Sequence, residues 1–263
     1  MRDIHEFETA LALLEELRST YLDASKLLKP RQSSVGHFIS NALMVTVCKH
    51  TNAMMSVAMI PEIGSHIESA WSIMRPQYEA AVTATWLIQS DDPDVQEERC
   101  LLYCSGELEH LGRMLRDEDA GNPDLPPLAE FKTAGLVRLF KMAASKAGKV
   151  SSLKKPSCRQ MMRQCGIPDR NYREFYSLAS HRIHGGSSSF LNWFEAHFRE
   201  SDEPDYVAWA IPIQGASWSL GDGGAVVLER HGAPERLLKA LRDKRNELSE
   251  HLAICSSDDD TTD

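Results

Sequence analysis

The sequence predicts an all-α multi-helix bundle, and three observations carry that reading. Apolar residues recur at three- and four-residue steps over most of the chain. Capping residues and prolines fall where helices should begin and end. A length of 263 residues with 42% hydrophobic and 25% charged side chains is enough to bury a substantial core. One element departs from the pattern, a small β-hairpin expected near 206–230.

Ile4, Phe7, Leu11, Leu14, Leu17, Tyr21, Ala24 and Leu28 form the stripe of a first helix, stopped by Pro30. Ser33 or Ser34 caps a second helix that runs through Val35, Ile39, Leu43, Val47 and Met54 to about Met59. A third helix is expected from about Ser65 to Gln89, with Pro76 inside it, and a fourth from Pro93 to about Arg116, opened by acidic residues. Residues 117–127 (DEDAGNPDLPP) form a polar loop and the best subdomain break within a single helical domain spanning 1–254. Helices follow at about 128–146, 157–165, 169–184 and 187–199, and a last one at about 234–254. Residues 255–263 read as a disordered acidic tail. The hairpin rests on the alternation of Val207, Trp209, Ile211 and Ile213 and on the turn-like run Gly221-Asp222-Gly223-Gly224.

Charge narrows the function classes. The net charge of −9 excludes a uniformly basic nucleic-acid coat. Residues 1–129 carry 20 acids and 10 bases, 130–173 carry 2 acids and 11 bases, and 174–263 carry 16 acids and 8 bases. The middle segment is therefore a basic insert of net +9. Lys146, Lys149, Lys154, Lys155, Arg159 and Arg163 are its candidate polyanion-binding residues, with RNA as one such partner. The competing reading is that these residues pair with acidic faces of the same protein. The N-terminus lacks the apolar core of a secretory signal, and no stretch reaches the ~20 apolar residues of a membrane helix. Six cysteines without a Cys-x-x-Cys read as reduced, buried thiols, so the expected location is cytoplasmic, without a membrane partner; a homodimer is allowed.

Two segments stand out as a candidate site. Between Ile67 and Ser90 the only formal charges are Glu68, Arg75 and Glu79, set among tryptophans, alanines and other apolar residues. Arg75 and Glu79 are four apart and share a helix face, so a buried ion pair is expected. Breaking such a pair costs roughly 3–5 kcal/mol. In Arg170–Gly186, Arg173, Ser177, Ser180 and His184 share one face and Tyr176 flanks it. A cation, a titratable imidazole and a hydroxyl together suit an anion site, which makes Arg75, Glu79, Ser180 and His184 the candidate catalytic set. His184 is expected to pack near Arg75 and Glu79. Their bland alternatives are a structural salt bridge and a polar surface face with a helix-ending histidine.

These same residues carry a resemblance. Arg75-Pro76-Gln77-Tyr78-Glu79, followed by Tyr176-x-x-x-Ser180-x-x-x-His184-Gly185-Gly186, resembles bacterial helical families of unknown function. Those families pair an Arg-Pro-x-aromatic-Glu helix with a later Ser/Thr-x-x-x-His-Gly helix. The resemblance covers roughly residues 35–195. It implies an all-helical fold and brings Arg75, Glu79, Ser180 and His184 together as neighbours, without implying an activity.

Other chemistries are weaker. Arg245 and His251 have the spacing of a HEPN-type ribonuclease motif, but 18 arginines and 10 histidines yield about two such matches by chance, and Arg31–His37 is the second. His181-x-x-His184 and Cys100-x-x-x-Cys104 lack the further ligands of a metal site, and no nucleotide-binding or zinc-protease motif occurs. No metal or cofactor is expected. The sequence thus supports a helical binding or regulatory module with an Arg/Glu/His polar cluster. The alternative is a metal-independent HEPN-like ribonuclease that uses histidine and arginine with the 130–173 insert holding RNA.

Overall fold

The computed structural model describes residues 3–28, 34–60, 67–118, 135, 137–139, 141, 154–183 and 206–257. Four long helices come first: α1 (Ile4–Lys26), α2 (Val35–Ala58), α3 (Ile67–Ile88) and α4 (Pro93–Glu118). After them come α5 (Cys158–Gln164) and α6 (Asp169–Asn171), a π-helical segment (Tyr172–Ser177) and α7 (Leu178–Ile183). A 3₁₀ turn (Val207–Trp209) leads into α8 (Ala210–Trp218), a second π segment (Ser219–Gly223), α9 (Gly224–Arg230) and α10 (Glu235–Ser257). The described residues contain no strand, so the all-α class stands. The helix expected at 128–146 falls largely outside the described residues. So do nearly all of the 117–127 break, the helix at 187–199 and the last six residues.

Local chemistry sets the helix starts. Asp3 accepts from the Glu6 amide at 2.9 Å to cap α1, and Ser34 accepts from the His37 amide at 3.5 Å to cap α2. Ser157 and Gln160 form a reciprocal capping box on α5. Gly166 (φ 70°) and Gly232 (φ 81°) follow α5 and α9 in the left-handed conformation that glycine tolerates best.

Packing is organised around α3. Ala80 to Ile88 are buried at nine consecutive positions, so this half of the helix has no solvent face. α2 lies antiparallel to it: Ser40 donates to the Ala84 carbonyl at 3.1 Å, while at the other end the Gln77 amide donates to Thr51 Oγ1 at 2.8 Å. α10 lies antiparallel to α1, since Lys244 pairs with Glu16 at 2.6 Å and His251 Nε2 lies 2.9 Å from the Glu6 carbonyl.

The hairpin expectation is overturned. Residues 207–230 form a continuous helical path, and none of Gly221, Gly223 and Gly224 has positive φ. These three glycines are buried, and Gly221 and Gly224 serve close approach rather than a turn. A Cβ on Gly224 would lie 2.8 Å from the Tyr21 ring, and one on Gly221 would collide with the Arg245 side chain. The apparent alternation from Val207 to Ile213 falls on a 3₁₀ turn and the first turn of α8, a stretch almost wholly apolar in sequence, where periodicity does not separate helix from strand.

At the α2–α9 junction the His37 and His231 rings meet edge to face at 4.9 Å, beside the Arg230–Asp91 ion pair. Burial, aided by His37, lowers the His231 pKa to about 4. The unfolded chain therefore binds a proton at this site that the folded chain refuses, over the window from about 4 to 6.5. Stability at this site is complete above 6.5 and declines as pH falls through the window.

Two predictions follow from these contacts. Gly224→Ala should destabilise the fold by about 1–3 kcal/mol in urea melts, because Tyr21 has little room to retreat. Gly223→Ala, whose Cβ meets only ordinary contacts from 3.5 Å outward, should be neutral or gain up to about 1 kcal/mol of helix propensity. A positive-φ turn would give a loss at both. His231→Gln should flatten the decline in melting temperature between pH 6.5 and 4 relative to the parent protein.

Candidate functional site

Arg75 and Glu79 lie in the first half of α3, before its wholly buried stretch, and both are half-buried rather than buried. Pro76, between them, is exposed. Among the described residues no ion pair joins Arg75 to Glu79. Instead the Arg75 guanidinium lies over the Tyr176 ring, 5.1 Å from its centroid, and donates to the Tyr176 hydroxyl at 3.4 Å. The expected buried pair is thus replaced by a cation–aromatic contact. The physical reason is that the facing π segment offers both an electron-rich face and a hydroxyl, and a half-exposed arginine keeps part of its hydration there.

Tyr176 continues the arrangement. Its ring stacks on Tyr172 at 5.2 Å with an interplanar angle of 22°, and the Arg159 guanidinium lies 5.4 Å from the Tyr172 ring centroid. Arg75, Tyr176, Tyr172 and Arg159 therefore form one stack, two rings between two guanidinium groups, joining α3, the first π segment and α5. Burial raises the pKa of Tyr176, opposed by the Arg75 hydrogen bond, so the phenol stays protonated.

Glu79 borders the same cluster. Its charge bears on Tyr103 of α4, on Cys158 of α5 and on Tyr176, and each of these groups is held above its usual pKa chiefly by burial. Lys155 enters the same neighbourhood. Its ammonium pairs with Glu107 at 2.8 Å and lies 5.0 Å from the Tyr103 ring centroid. The absence of a side chain at Gly106 makes room for its stem, since a Cβ there would stand 2.6 Å from Lys155 Cβ. Arg75, Lys155, Glu79 and Glu107 form a charge-balanced group with two tyrosines and a thiol among them.

The other sequence-derived candidates are distributed as follows. Ser180 is half-buried on α7, one turn beyond Tyr176, and α7 packs against α3. His184 lies outside the described residues, as do Lys146 and Lys149. Lys154 is exposed. Arg159 and Arg163 both pair with Asp169, at 3.3 and 3.1 Å, and hold its carboxyl down at about 2. Arg170 pairs with Glu174 at 2.6 Å. Arg245 pairs with Asp222 at 3.0 Å, and His251 contacts the Glu6 carbonyl, so this arginine and this histidine both have structural partners. Cys48 and Cys104, raised to about 11 by burial, and Cys100 and Cys165, raised to about 12, are free thiols with little thiolate at neutral pH. No group of three metal-ligating side chains occurs among the described residues, and none of their helices is long and apolar enough to cross a membrane.

Sequence reasoning did not assign Tyr172, Tyr103 or Glu107 to the site; it left Lys155 between a polyanion surface and pairing with the protein's own acidic faces, and its pair with Glu107 is of the second kind. The Tyr172–Tyr176 pair at i, i+4 beside arginines was the available signal for the stack. Nothing local marks Tyr103 or Glu107, which reach the cluster from a different helix.

The defining features are an all-helical fold and a polar cluster between its third helix and the Tyr176–Ser180 helix. Residues 37–204, more than half of the chain, match the family of unknown function DUF5677, and the protein belongs to that family. The match covers both segments of the candidate site. Comparison with curated proteins and with solved structures gave no match.

The stack makes a quantitative prediction. Arg75→Ala should cost about 0.5–2 kcal/mol in a denaturant melt, as a partly desolvated cation–aromatic contact would, rather than the larger loss of a broken buried ion pair. Tyr176→Phe, which keeps the ring and removes the hydroxyl, should cost less than Tyr176→Ala.

Proposed function

We propose that the protein is a helical binding or regulatory module whose recognition site is the polar cluster around Arg75 and Glu79, completed by Ser180 and His184. One observation carries this reading: the Arg75 guanidinium sits on Tyr176, one turn before Ser180 and two before His184 in sequence. That contact supports the expected meeting of the two sequence segments at one place between helices. Arginine, glutamate, tyrosine and lysine, half-buried and charge-balanced, suit recognition of a polar group. The site has more hydrogen-bonding capacity than a purely structural contact needs.

The ribonuclease alternative has less support. Lys155, Arg159 and Arg163 of the basic insert are engaged with Glu107 and Asp169, which favours internal neutralisation over an open RNA-holding face. Arg138, Lys141, Lys154 and Arg173 are among its other exposed described members, and they would act with Lys146 and Lys149 if a polyanion is held.

The test is a thermal-shift screen of polar metabolites on the full chain, read in parallel on Glu79→Gln and His184→Ala. A ligand that stabilises the parent protein and loses most of its effect in both variants is the expected result. The same preparations are incubated with mixed RNA at about 50 mM salt, where electrostatic binding is strong. RNA should remain intact. Degradation that disappears in His184→Ala would overturn the binding-module reading in favour of the enzyme.

A further inference from the structure

A second polar concavity lies away from the Arg75 cluster, between the first π segment, α8 and α10. It encloses about 180 Å³, and both π segments border it: Glu174 and Phe175 come from one, and Trp218 caps the start of the other. Such segments occur mostly as single-turn insertions in α-helices and are frequent at functional sites, because they turn side chains away from helical register.

Its lining is rich in hydrogen-bond donors. Arg170 and Asn171 enter from α6, just before the π segment, Gln214 and Ser217 from α8, and Arg245 and Ser249 from α10. Each guanidinium is paired with a carboxylate, and one of these, Glu174, lines the cleft itself. Glu174 accepts from Arg170 Nε at 2.6 Å, and Asp222 accepts from Arg245 Nε at 3.1 Å. Arg245 also reaches Asp222 from Nη2 at 3.0 Å and donates from Nη1 to Asn246 at 3.3 Å; with five N–H donors on a guanidinium, each still has some left for a ligand. The decisive feature is Ser217. It is 1% exposed, and its hydroxyl has no hydrogen-bond partner among the described residues. Its neighbour Ser219 shows the usual remedy, donating to the Gly215 carbonyl at 2.8 Å. A buried hydroxyl left without a partner is costly, and one lining a polar cleft is a group prepared for a ligand.

We propose that this cleft binds a small phosphomonoester, with its phosphoryl group held between Arg170 and Arg245 and accepting from Ser217. Two arginines, two amides and two hydroxyls supply more donors than a carboxylate has acceptor sites, and they match the several terminal oxygens of a phosphoryl group. The cleft is larger than that group alone, which leaves space for a small organic remainder beside Trp218.

The experiment is isothermal titration of the full chain with glycerol 3-phosphate, inorganic phosphate and malonate at one ionic strength of about 150 mM, where diffuse surface attraction is screened. Saturable binding of glycerol 3-phosphate, tighter than that of malonate, is expected. Ser217→Ala and Arg170→Gln should retain the unliganded melting temperature and weaken binding by about tenfold or more, the loss expected for a charge-assisted contact. Arg245→Gln serves as a third variant only if it melts like the parent, because its stem packs on Gly221. No saturable binding by the parent protein overturns the proposal. Equal affinity of Ser217→Ala, Arg170→Gln and parent overturns it as well, as does a Lys154→Glu variant that loses binding while both cleft variants keep it. Malonate binding as tightly as glycerol 3-phosphate overturns the ligand class. None of these variants touches Arg75 or Glu79, so the outcome is independent of the reading given to that cluster.

Discussion

The burial of nine consecutive positions at the end of α3 is the constraint on which the rest of the structure depends. A helix without a solvent face must be surrounded, and it can be surrounded closely only if its own side chains are small on the sides that helices approach. Ala80, Ala81, Thr83, Ala84 and Thr85 meet that requirement, while Trp86, Leu87 and Ile88 supply bulk at the far end. Some of the buried polar groups of α3 and its neighbours are served across the interfaces, while Thr85 Oγ1 has no partner among the described residues. Ser40 reaches the Ala84 carbonyl, Gln77 reaches Thr51, and Trp86 donates to Gln164. These bonds fix the rotational setting of α3, because apolar contacts alone would tolerate several.

The polar cluster lies where that constraint relaxes. Arg75 and Glu79 precede the wholly buried stretch, so neither charge has to be taken fully out of water. Fully burying two ions costs several kcal/mol each, and direct pairing seldom recovers it. The structure avoids that cost by giving the guanidinium an aromatic face and by leaving Glu79 half-buried, in the same region as the Lys155–Glu107 pair. The Arg75–Tyr176–Tyr172–Arg159 stack then ties α3 to α5 through flat surfaces, which hold orientation without requiring complete desolvation.

The basic insert and the glycine run illustrate how a local pattern admits two outcomes. Eleven basic residues against two acidic ones in residues 130–173 look like a surface awaiting a polyanion. Yet one of those two acids, Asp169, engages both Arg159 and Arg163, and Lys155 finds Glu107 on another helix. Counting charges along the chain says nothing about which carboxylates fold back onto them. Likewise, glycines serve turns and close helix contacts equally well, and only the presence of Tyr21 and Arg245 beside Gly224 and Gly221 selects the second use.

By itself the sequence determined the fold class, the extents of α1 to α4 and α10 to within a few residues, and a cap of α2 at Ser33 or Ser34. All of these follow from periodicity and short-range hydrogen bonding, which act within a turn or two of helix. It also singled out Arg75, Glu79 and Ser180, since charges and hydroxyls in otherwise apolar helices are conspicuous without coordinates. Tertiary structure alone decided that Arg75 meets Tyr176 rather than Glu79, that Lys155 turns inward over Gly106, and that residues 207–230 are helical. It also decided that Ser217 lines a polar cleft with its hydroxyl unmatched. The reason is common to all four. Each depends on the distance between residues far apart in the chain, and that distance is set by how closely small side chains let the helices around α3 approach, a property no local pattern encodes.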